Sequence, residues 1–393
     1  MHNSEKILFV DLDGSLIKSD FLFESFFYFF SKNIFAPFIS LGVLLQKGKV
    51  GLKRFLYENS DIAISKLPYN NQVLNFIENW KEFNDGMVIL ISASDDRAVE
   101  KISNHLGCFD GSYGSKDLNL KSSTKLQKIK EISKNNQFDY IGNSHDDLVI
   151  LRSAQNCILV NPSYLLKRKA RSVSSSIDFI EGKRNRFIDI LRTIRIHQWS
   201  KNGLIFIPSI LAGFPSMASL SILIKGFFAF SFTASAFYIL NDLFDIQNDR
   251  NHHSKKERSF ASGSVSIPFG FFVFVVLIFN SILISFNLPL LFQIYLFIYA
   301  LSTFLYSKYL KKIPLVDIFT LSYLYILRLL SGGALISLNL SNWLLTFSVF
   351  FFLFLASIKR GIEIRRMGAK ITPGRGYTSS DKNFTSQLSY TSG

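Results

Sequence analysis

The sequence predicts two joined folds: an α/β doubly wound domain with a helical cap, then an all-α multi-span membrane bundle. Three observations predict this. Over residues 5–163, short apolar strand candidates alternate with helical patterns. Over residues 203–358, long apolar runs are separated by short polar breaks. Basic residues collect in alternate breaks only, as they do in chains that cross a bilayer.

The chain has 393 residues and a formal net charge of +15, a length that suggests two or three domains. A basic excess suits nucleic acid, a membrane surface or phosphorylated ligands. The apolar runs decide for the lipid bilayer, and no nucleic-acid partner is expected. Cys108 and Cys157 form no metal-like spacing and no disulfide framework, which points to a reducing compartment. The start "MHNSEKILFVDLDG" has no signal-peptide pattern. The sequence leaves homo-oligomerisation open.

In the first domain, placed at 1–165, "KILFVDL", "MVILISA" and "FDYIGN" read as strands. "DRAVEKISNHLG" and "STKLQKIKEISKN" read as helices between them. Such alternation argues for a parallel sheet with ligands at the carboxyl ends of its strands. Residues 19–80 form a helical insertion whose apolar pieces, "FLFESFFYFF" and "FAPFISLGVLL", are each too short to span a bilayer. They read as the core of a cap; the alternative is a cap that leans on the membrane surface. Residues 166–195 are a linker, and the membrane domain runs from 196 to 393.

The apolar runs group into about six candidate spans, at 203–217, 221–240, 266–286, 288–306, 314–336 and 342–358. Arg250, Lys255, Lys256 and Arg258 follow the second span, Lys308, Lys311 and Lys312 the fourth, and Lys359, Arg360, Arg365 and Arg366 the sixth. The intervening breaks carry none, so the basic loops, the tail and the N-terminal domain are expected on the cytoplasmic face of the cell (inner) membrane.

Two constellations carry chemistry. The first strand ends in Asp11, Leu12, Asp13, Gly14 and Ser15. Acids at i and i+2 can share one metal or phosphate site, one attacking while the other exchanges a proton. Ser92 follows a second strand and suits a phosphoryl oxygen. Lys125 suits phosphate charge, and Asp147, after a third strand, suits a metal. This ordered set resembles the haloacid dehalogenase-like phosphatase superfamily. The resemblance implies Asp11 as nucleophile, Asp13 as acid/base, Ser92 and Lys125 as phosphate binders, and Asp11 with Asp147 as Mg²⁺ ligands. One position departs: Asn143 stands where that superfamily usually has an acid, and a domain that binds without turnover stays open.

The second constellation is "YILNDLFDIQNDRNHHSKKERSFASG". Asp242, Asp245 and Asp249 are spaced by three and four, which on one helix gives a single carboxylate face. A helix C-terminus disfavours anions unless a cation joins them, and a hard divalent metal fits. Basic Lys255 and Arg258 beside it suit a diphosphate.

Asn241, Asp242, Asp245 and Asp249 resemble the NDxxDxxxD motif of the UbiA superfamily. His252, Lys255, Arg258, Ala261 and Gly263 are similar to the run of its decaprenyl-phosphate phosphoribosyltransferase branch, as are Gln198, Trp199, Lys201 and Asn202 in "RIHQWSKN". Further on, Tyr306, Lys311, Asp317 and Arg328 resemble its second motif, and Lys359, Arg360 and Glu363 its K-R-x-x-E segment. The resemblance implies a Mg²⁺-dependent transferase that joins 5-phosphoribosyl diphosphate to polyprenyl phosphate, with Asp317 completing the metal set. Lys255, Arg258, Lys311 and Arg328 would bind phosphate. Arg328 sits about 20 Å along its span, where a charge is costly and faces a polar cavity or a counter-group. The fused phosphatase-like domain would remove the 5-phosphate of the product. Two alternatives remain: transfer of an isoprenoid to an aromatic acceptor, and a non-catalytic membrane protein that senses a phosphorylated ligand. That fold implies about nine spans against about six counted, and "GRGYTSSDKNFTSQLSYTSG" resembles the loop before later spans, so the chain is expected to be interrupted at Gly393.

Overall fold

The computed structural model describes residues 6–134, 137–173, 176–182, 186–213, 215–367 and Tyr377. The expectations for the first five residues, and for the tail from Gly374 apart from Tyr377, lie outside the described residues. The chain forms two compact units: Met1–Arg186 with Asp249–Ile267, and Phe187–Asn248 with Pro268–Gly393.

The first unit is built on β1 (Lys6–Val10), β2 (Gly86–Asp95), β3 (Gly111–Ser115), β4 (Phe138–Gly142), β5 (Cys157–Val160) and β6 (Ile177–Ile180). They form one sheet in the order β3-β2-β1-β4-β5-β6, parallel throughout. Alternation explains how the sheet is covered. Leu8, Val10, Val88 and Leu90 face one core, while Ile7, Phe9, Ile89 and Ile91 face the other, because neighbours on a strand point to opposite faces. A sheet buried on both faces reads as continuous apolar runs, which is why "KILFV" and "MVILIS" stand out.

Two helices, α1 (Phe21–Lys32) and α2 (Ala36–Glu58), make the helical cap. Asp20 caps α1 by accepting from the Phe23 amide. Next, α3 (Asn71–Phe83) buries Val73, Ile77 and Trp80 against the sheet core, so it belongs to the sheet layers. On the flanks lie α4 (Asp96–Leu106), α5 (Ser123–Ile132), α6 (Leu148–Leu151) and α7 (Tyr164–Arg171). The stretch expected as a linker from 166 therefore holds part of α7 and the whole of β6. The order reverses beside β1, between its neighbours β2 and β4. In open α/β sheets that is the crevice where ligands bind.

The second unit is all-α: α8 (Arg186–Thr193), α9 (Ile207–Leu211), α10 (Met217–Phe244), α11 (Ile246–Arg250, shared with the first unit), α12 (Ile267–Ser285), α13 (Leu290–Lys308), α14 (Val316–Leu335) and α15 (Asn342–Met367). Among the described residues 5 helices are long and apolar enough to cross a membrane, and they match the last five expected spans. The first expected span, 203–217, is corrected. It is a 3-10 helix over Ile196–Phe206 followed by the short α9, and Gly213 takes φ +111 just beyond. Gly332 of α14 explains the close fit of that segment: a Cβ there would lie 2.1 Å from the Ile205 carbonyl oxygen. Small residues at helix crossings allow such approach.

Candidate active sites

In the first unit, the Asp11 amide donates to the Ile141 carbonyl at 2.9 Å, which fixes the end of β1 against β4. The Asp11 carboxylate is buried and receives the Lys125 ammonium at 2.6 Å and the Ser15 hydroxyl at 3.2 Å. Lys125 also donates to the Tyr140 hydroxyl at 3.2 Å and lies 3.9 Å from Asp147. Tyr140 in turn donates to Asp147 at 2.7 Å. The other Asp147 oxygen accepts from the Asn143 amide, the Ser144 amide and the Ser144 hydroxyl at 3.1, 2.9 and 2.8 Å. Three of the expected residues, Asp11, Lys125 and Asp147, thus form one connected cluster.

Asp13 is tied to a different wall. One oxygen accepts from the Phe21 amide at 2.8 Å, at the start of the cap. The other accepts from Ser94 at 2.6 Å and Ser92 at 3.3 Å, so Ser92 belongs to the Asp13 side. Directly after the two acids the chain turns at Gly14, whose φ of +76 suits glycine. A Cβ there would sit 1.9 Å from the Asn143 Nδ2 atom; Asn143 lies over the turn that follows the two acids.

Burial is the main electrostatic influence. It pushes the Asp11 carboxyl up to about 7 against the opposing pull of Lys125. Burial, then the nearby Asp13 charge, pushes Asp20 up to about 7. Burial lowers the ammonium of Lys53 despite Asp13 and Asp20 beside it. Lys53 reaches from α2 to donate to the Ala93 carbonyl and, at 2.8 Å, to Asn119. The sequence reading did not single out Ser94, Tyr140, Asp20 or Lys53. Only Ser94, two positions beyond Ser92 on β2, had a visible signal, the period of a strand.

In the second unit the acids are met by bases. Asp242, buried on the last turn of α10, accepts from Arg195 through Nε at 3.2 Å and Nη2 at 2.5 Å. Lys311 donates to Asp245 at 2.6 Å and to Asn241 at 3.2 Å. The expected single carboxylate face is corrected: α10 stops at Phe244 and Asp245 is its C-cap, with φ −98 and ψ 6. Asp favours such non-helical positions over a helix interior. Asp249 falls in the first unit, where Arg258 donates to it at 2.8 Å.

Asp317, fully buried on α14, is bound by Arg360 at 2.6 Å and accepts from the Tyr306 hydroxyl at 2.8 Å. Arg328 donates to Asn202 at 2.9 Å, to the Tyr299 hydroxyl at 3.0 Å and to the Leu324 carbonyl. Its hydrogen bonds run to groups of the helical core and to none of the motif acids. Asn202 passes the network on to Ser231 at 2.9 Å, and Trp199 donates to Ser235 at 2.9 Å. The "HQWSKN" side chains therefore hold the segment before α9 against α10.

Among the described residues no three His, Cys, Asp or Glu side chains gather as a preformed metal cluster. The donors present still suit Mg²⁺, which needs only one or two carboxylates, with water and substrate phosphate completing its shell. Asp11 and Asp147 converge on the Lys125 ammonium, and Asn241 and Asp245 on that of Lys311. Each pair brings hard oxygen donors to one positive charge.

A parallel α/β unit with an acid–lysine cluster at its switch point, joined to a bundle of apolar helices with acids at a helix end, defines a membrane protein that carries a parallel α/β domain. The chain belongs to the UbiA prenyltransferase family, whose model matches residues 203–367. It is 36% identical over 389 residues to the uncharacterised protein y4nM of Sinorhizobium fredii, covering 95% of this chain and 73% of that protein; that likeness runs through both units. It is 36% identical over 211 residues to the nodulation protein NoeC of Azorhizobium caulinodans, covering 53% of this chain and 68% of that one. It is 31% identical over 216 residues to the decaprenyl-phosphate phosphoribosyltransferase of Mycobacterium tuberculosis, covering 53% and 72%. Among solved structures, a UbiA homolog from Archaeoglobus fulgidus bound to DMAPP and Mg²⁺ aligns with a TM-score of 0.45 at 15% identity, covering 51% of this chain and 73% of that one. A phospho-aspartyl intermediate analogue of phosphoserine phosphatase aligns with a TM-score of 0.32 at 18% identity, covering 47% and 97%.

Proposed function

We propose that the second unit transfers 5-phosphoribosyl from 5-phosphoribosyl diphosphate to a polyprenyl phosphate on the cytoplasmic face of the membrane, and that the first unit then removes the 5-phosphate. The observation that carries the transferase reading is the interleaving of acids and bases at the end of α10. Asp242 is held by Arg195, and Asn241 with Asp245 by Lys311. Two relatives named decaprenyl-phosphate phosphoribosyltransferase, 31% and 30% identical to this chain, support it.

Asn241, Asp242 and Asp245 would hold Mg²⁺; Asp249, expected with them from the sequence motif, falls in the first unit. When bound, the metal supplies positive charge for the diphosphate that leaves. Lys311 is the basic side chain of this unit proposed to bind phosphate, and Lys255 and Arg258 of the first unit keep that role as a proposal of the sequence motif alone; Asp317 and Arg328 are proposed as buried supports of the bundle. The bond from ribose C1 to the diphosphate breaks and a phosphate oxygen of the lipid bonds to C1, so no protein nucleophile is required. In the first unit the Asp11 carboxylate attacks the phosphorus of the 5-phosphate and Asp13 protonates the departing alcohol. Water, losing its proton to Asp13, then hydrolyses the aspartyl-phosphate. Lys125 and Ser92 bind the phosphoryl oxygens, and Asp11 with Asp147 would hold Mg²⁺.

The test uses the full chain in lipid with Mg²⁺, polyprenyl phosphate and radiolabelled 5-phosphoribosyl diphosphate. Labelled lipid lacking the 5-phosphate is expected. Asp11→Asn should accumulate the phosphorylated lipid, and Asp242→Asn should give none. No labelled lipid, together with turnover of a prenyl diphosphate and an aromatic acid, would replace the reading with a conventional prenyltransferase. A second reading of the first unit, binding without turnover, is favoured by Asn143 lying against Gly14; phosphorylated lipid accumulating in the unaltered chain would support it.

A further inference from the structure

The cap helix α2 is two helices joined at a kink, since Gly48 takes φ 64 and ψ −169 within it. The halves differ in what covers them. Beyond the kink, Leu52, Phe55 and Leu56 pack on α1 with Phe26, Phe29 and Phe30, and the Phe29 and Phe55 rings meet edge to face at 5.5 Å. Before the kink only Ala36 and Ser40 are buried. Phe35 is 64% exposed, Phe38 75%, Leu41 54% and Leu45 78%. Their spacing by three and four sets them on one side of the helix, opposite the buried Ala36 and Ser40.

Along the sequence, charge in this segment has one sign. From Ser25 to Tyr57 the sequence holds no Asp or Glu, while Lys32, Lys47, Lys49, Lys53 and Arg54 lie in it. Lys32 and the Lys47–Lys49 pair bracket the ridge and are exposed. An apolar ridge rimmed by lysines is the pattern of a helix lying in a bilayer interface, apolar side among the acyl chains and cations among anionic headgroups. A symmetric second copy suits it less, because self-pairing would bring the lysine rims of two copies together. A bilayer is at hand, because among the described residues the same chain carries 5 helices fit to cross one.

We propose that residues 34–47 of the cap form a peripheral anchor that inserts into an anionic lipid surface, a role separate from either proposed reaction. The full chain, with Cys108 and Cys157 replaced by alanine, is reconstituted in vesicles of phosphatidylcholine and phosphatidylglycerol. An environment-sensitive fluorophore is placed in turn at Phe38→Cys, Leu45→Cys and, as an aqueous control, Glu100→Cys on α4. At 38 and 45, quenching by lipid-borne spin labels is expected, with iodide quenching on the order of fivefold weaker than at 100. Phe38 and Leu45 project from the fold, so these changes leave its core intact, and two positions guard against one failing.

Iodide quenching at 38 and 45 equal to that at 100 overturns the proposal. So does protection from iodide without lipid-borne quenching; a dependence on protein dilution would then identify a second copy as the cover. Replacing phosphatidylglycerol by phosphatidylcholine should weaken the lipid-borne quenching, and unchanged quenching overturns the anionic part of the proposal.

Discussion

Glu24 and Arg250 stand 226 residues apart and form a buried two-pronged ion pair, at 2.8 and 2.7 Å. Arg250 also donates through Nε to the Ala261 carbonyl at 3.0 Å. The pair fastens the Asp249–Ile267 stretch to the cap helix α1 inside the first unit. Removing one partner strands a charge in a dry site, at a cost of about 3–5 kcal/mol. Glu24→Leu is therefore expected to lower the melting temperature of the full chain by on the order of 10 °C. Glu24→Leu with Arg250→Met should recover most of that loss, since an apolar pair of similar volume leaves no stranded charge. Thermal unfolding of the two single variants and the double variant checks this.

A pH effect follows from Asp20, held up to about 7 against an ordinary 3.8. Between those values the folded chain keeps a proton that the unfolded chain has released. Stability therefore falls as pH rises through that window, and is level above it. Asparagine at 20 still caps α1 but carries no charge. Asp20→Asn is expected to be nearly neutral at pH 4 and stabilising at pH 8. Unfolding measured at pH 4, 6 and 8 should show the gap opening across that range; a gap of constant size would refute this account.

Arg195 grips Asp242 through two nitrogens. A lysine cannot reproduce that fork. Arg195→Lys is expected to reduce transferase kcat/KM by roughly tenfold or more. Asp245→Asn should raise the Mg²⁺ concentration needed for half-maximal rate, as one charged donor is lost. Steady-state rates across a Mg²⁺ series, with chelator as the zero point, read both.

Arg328 tests support against substrate contact. Its hydrogen bonds run to Asn202, Tyr299 and the Leu324 carbonyl. Arg328→Met should leave those acceptors without their donor and lower thermal stability in detergent by about 2–4 kcal/mol. The KM for 5-phosphoribosyl diphosphate should change by less than about threefold. A large KM rise with unchanged stability would return Arg328 to phosphate binding.

Local order was readable in the sequence, and long-range pairing was not. Asp11 and Asp13 announce a strand end because their spacing, the apolar run before them and Gly14 lie within one short stretch. The same holds for Asn241, Asp242 and Asp245. Their partners depend on packing: Lys125 meets Asp11 across 114 residues, Arg195 meets Asp242 across 47, and Arg360 meets Asp317 across 43. The break at Asp245 was hidden because acids spaced by three and four fit a continuous helix as well as an interrupted one. The strand β6 is four residues long, too short for alternation to mark it. The apolar run at 203–217 looked like a span because composition alone does not show whether Pro208 and Gly213 will divide it.

Because the first unit is closed by Asp249–Ile267, its assembly is bound to the order in which the ribosome delivers the chain. When residue 186 emerges the sheet can form, yet the ion pair of Glu24 with Arg250 cannot. The stretch bearing Arg250 arrives only after α10 has been synthesised and handed to the membrane machinery. Until then the half-built unit lacks the pair that fastens α1 to its closing stretch, a stage at which a chaperone would decide its fate.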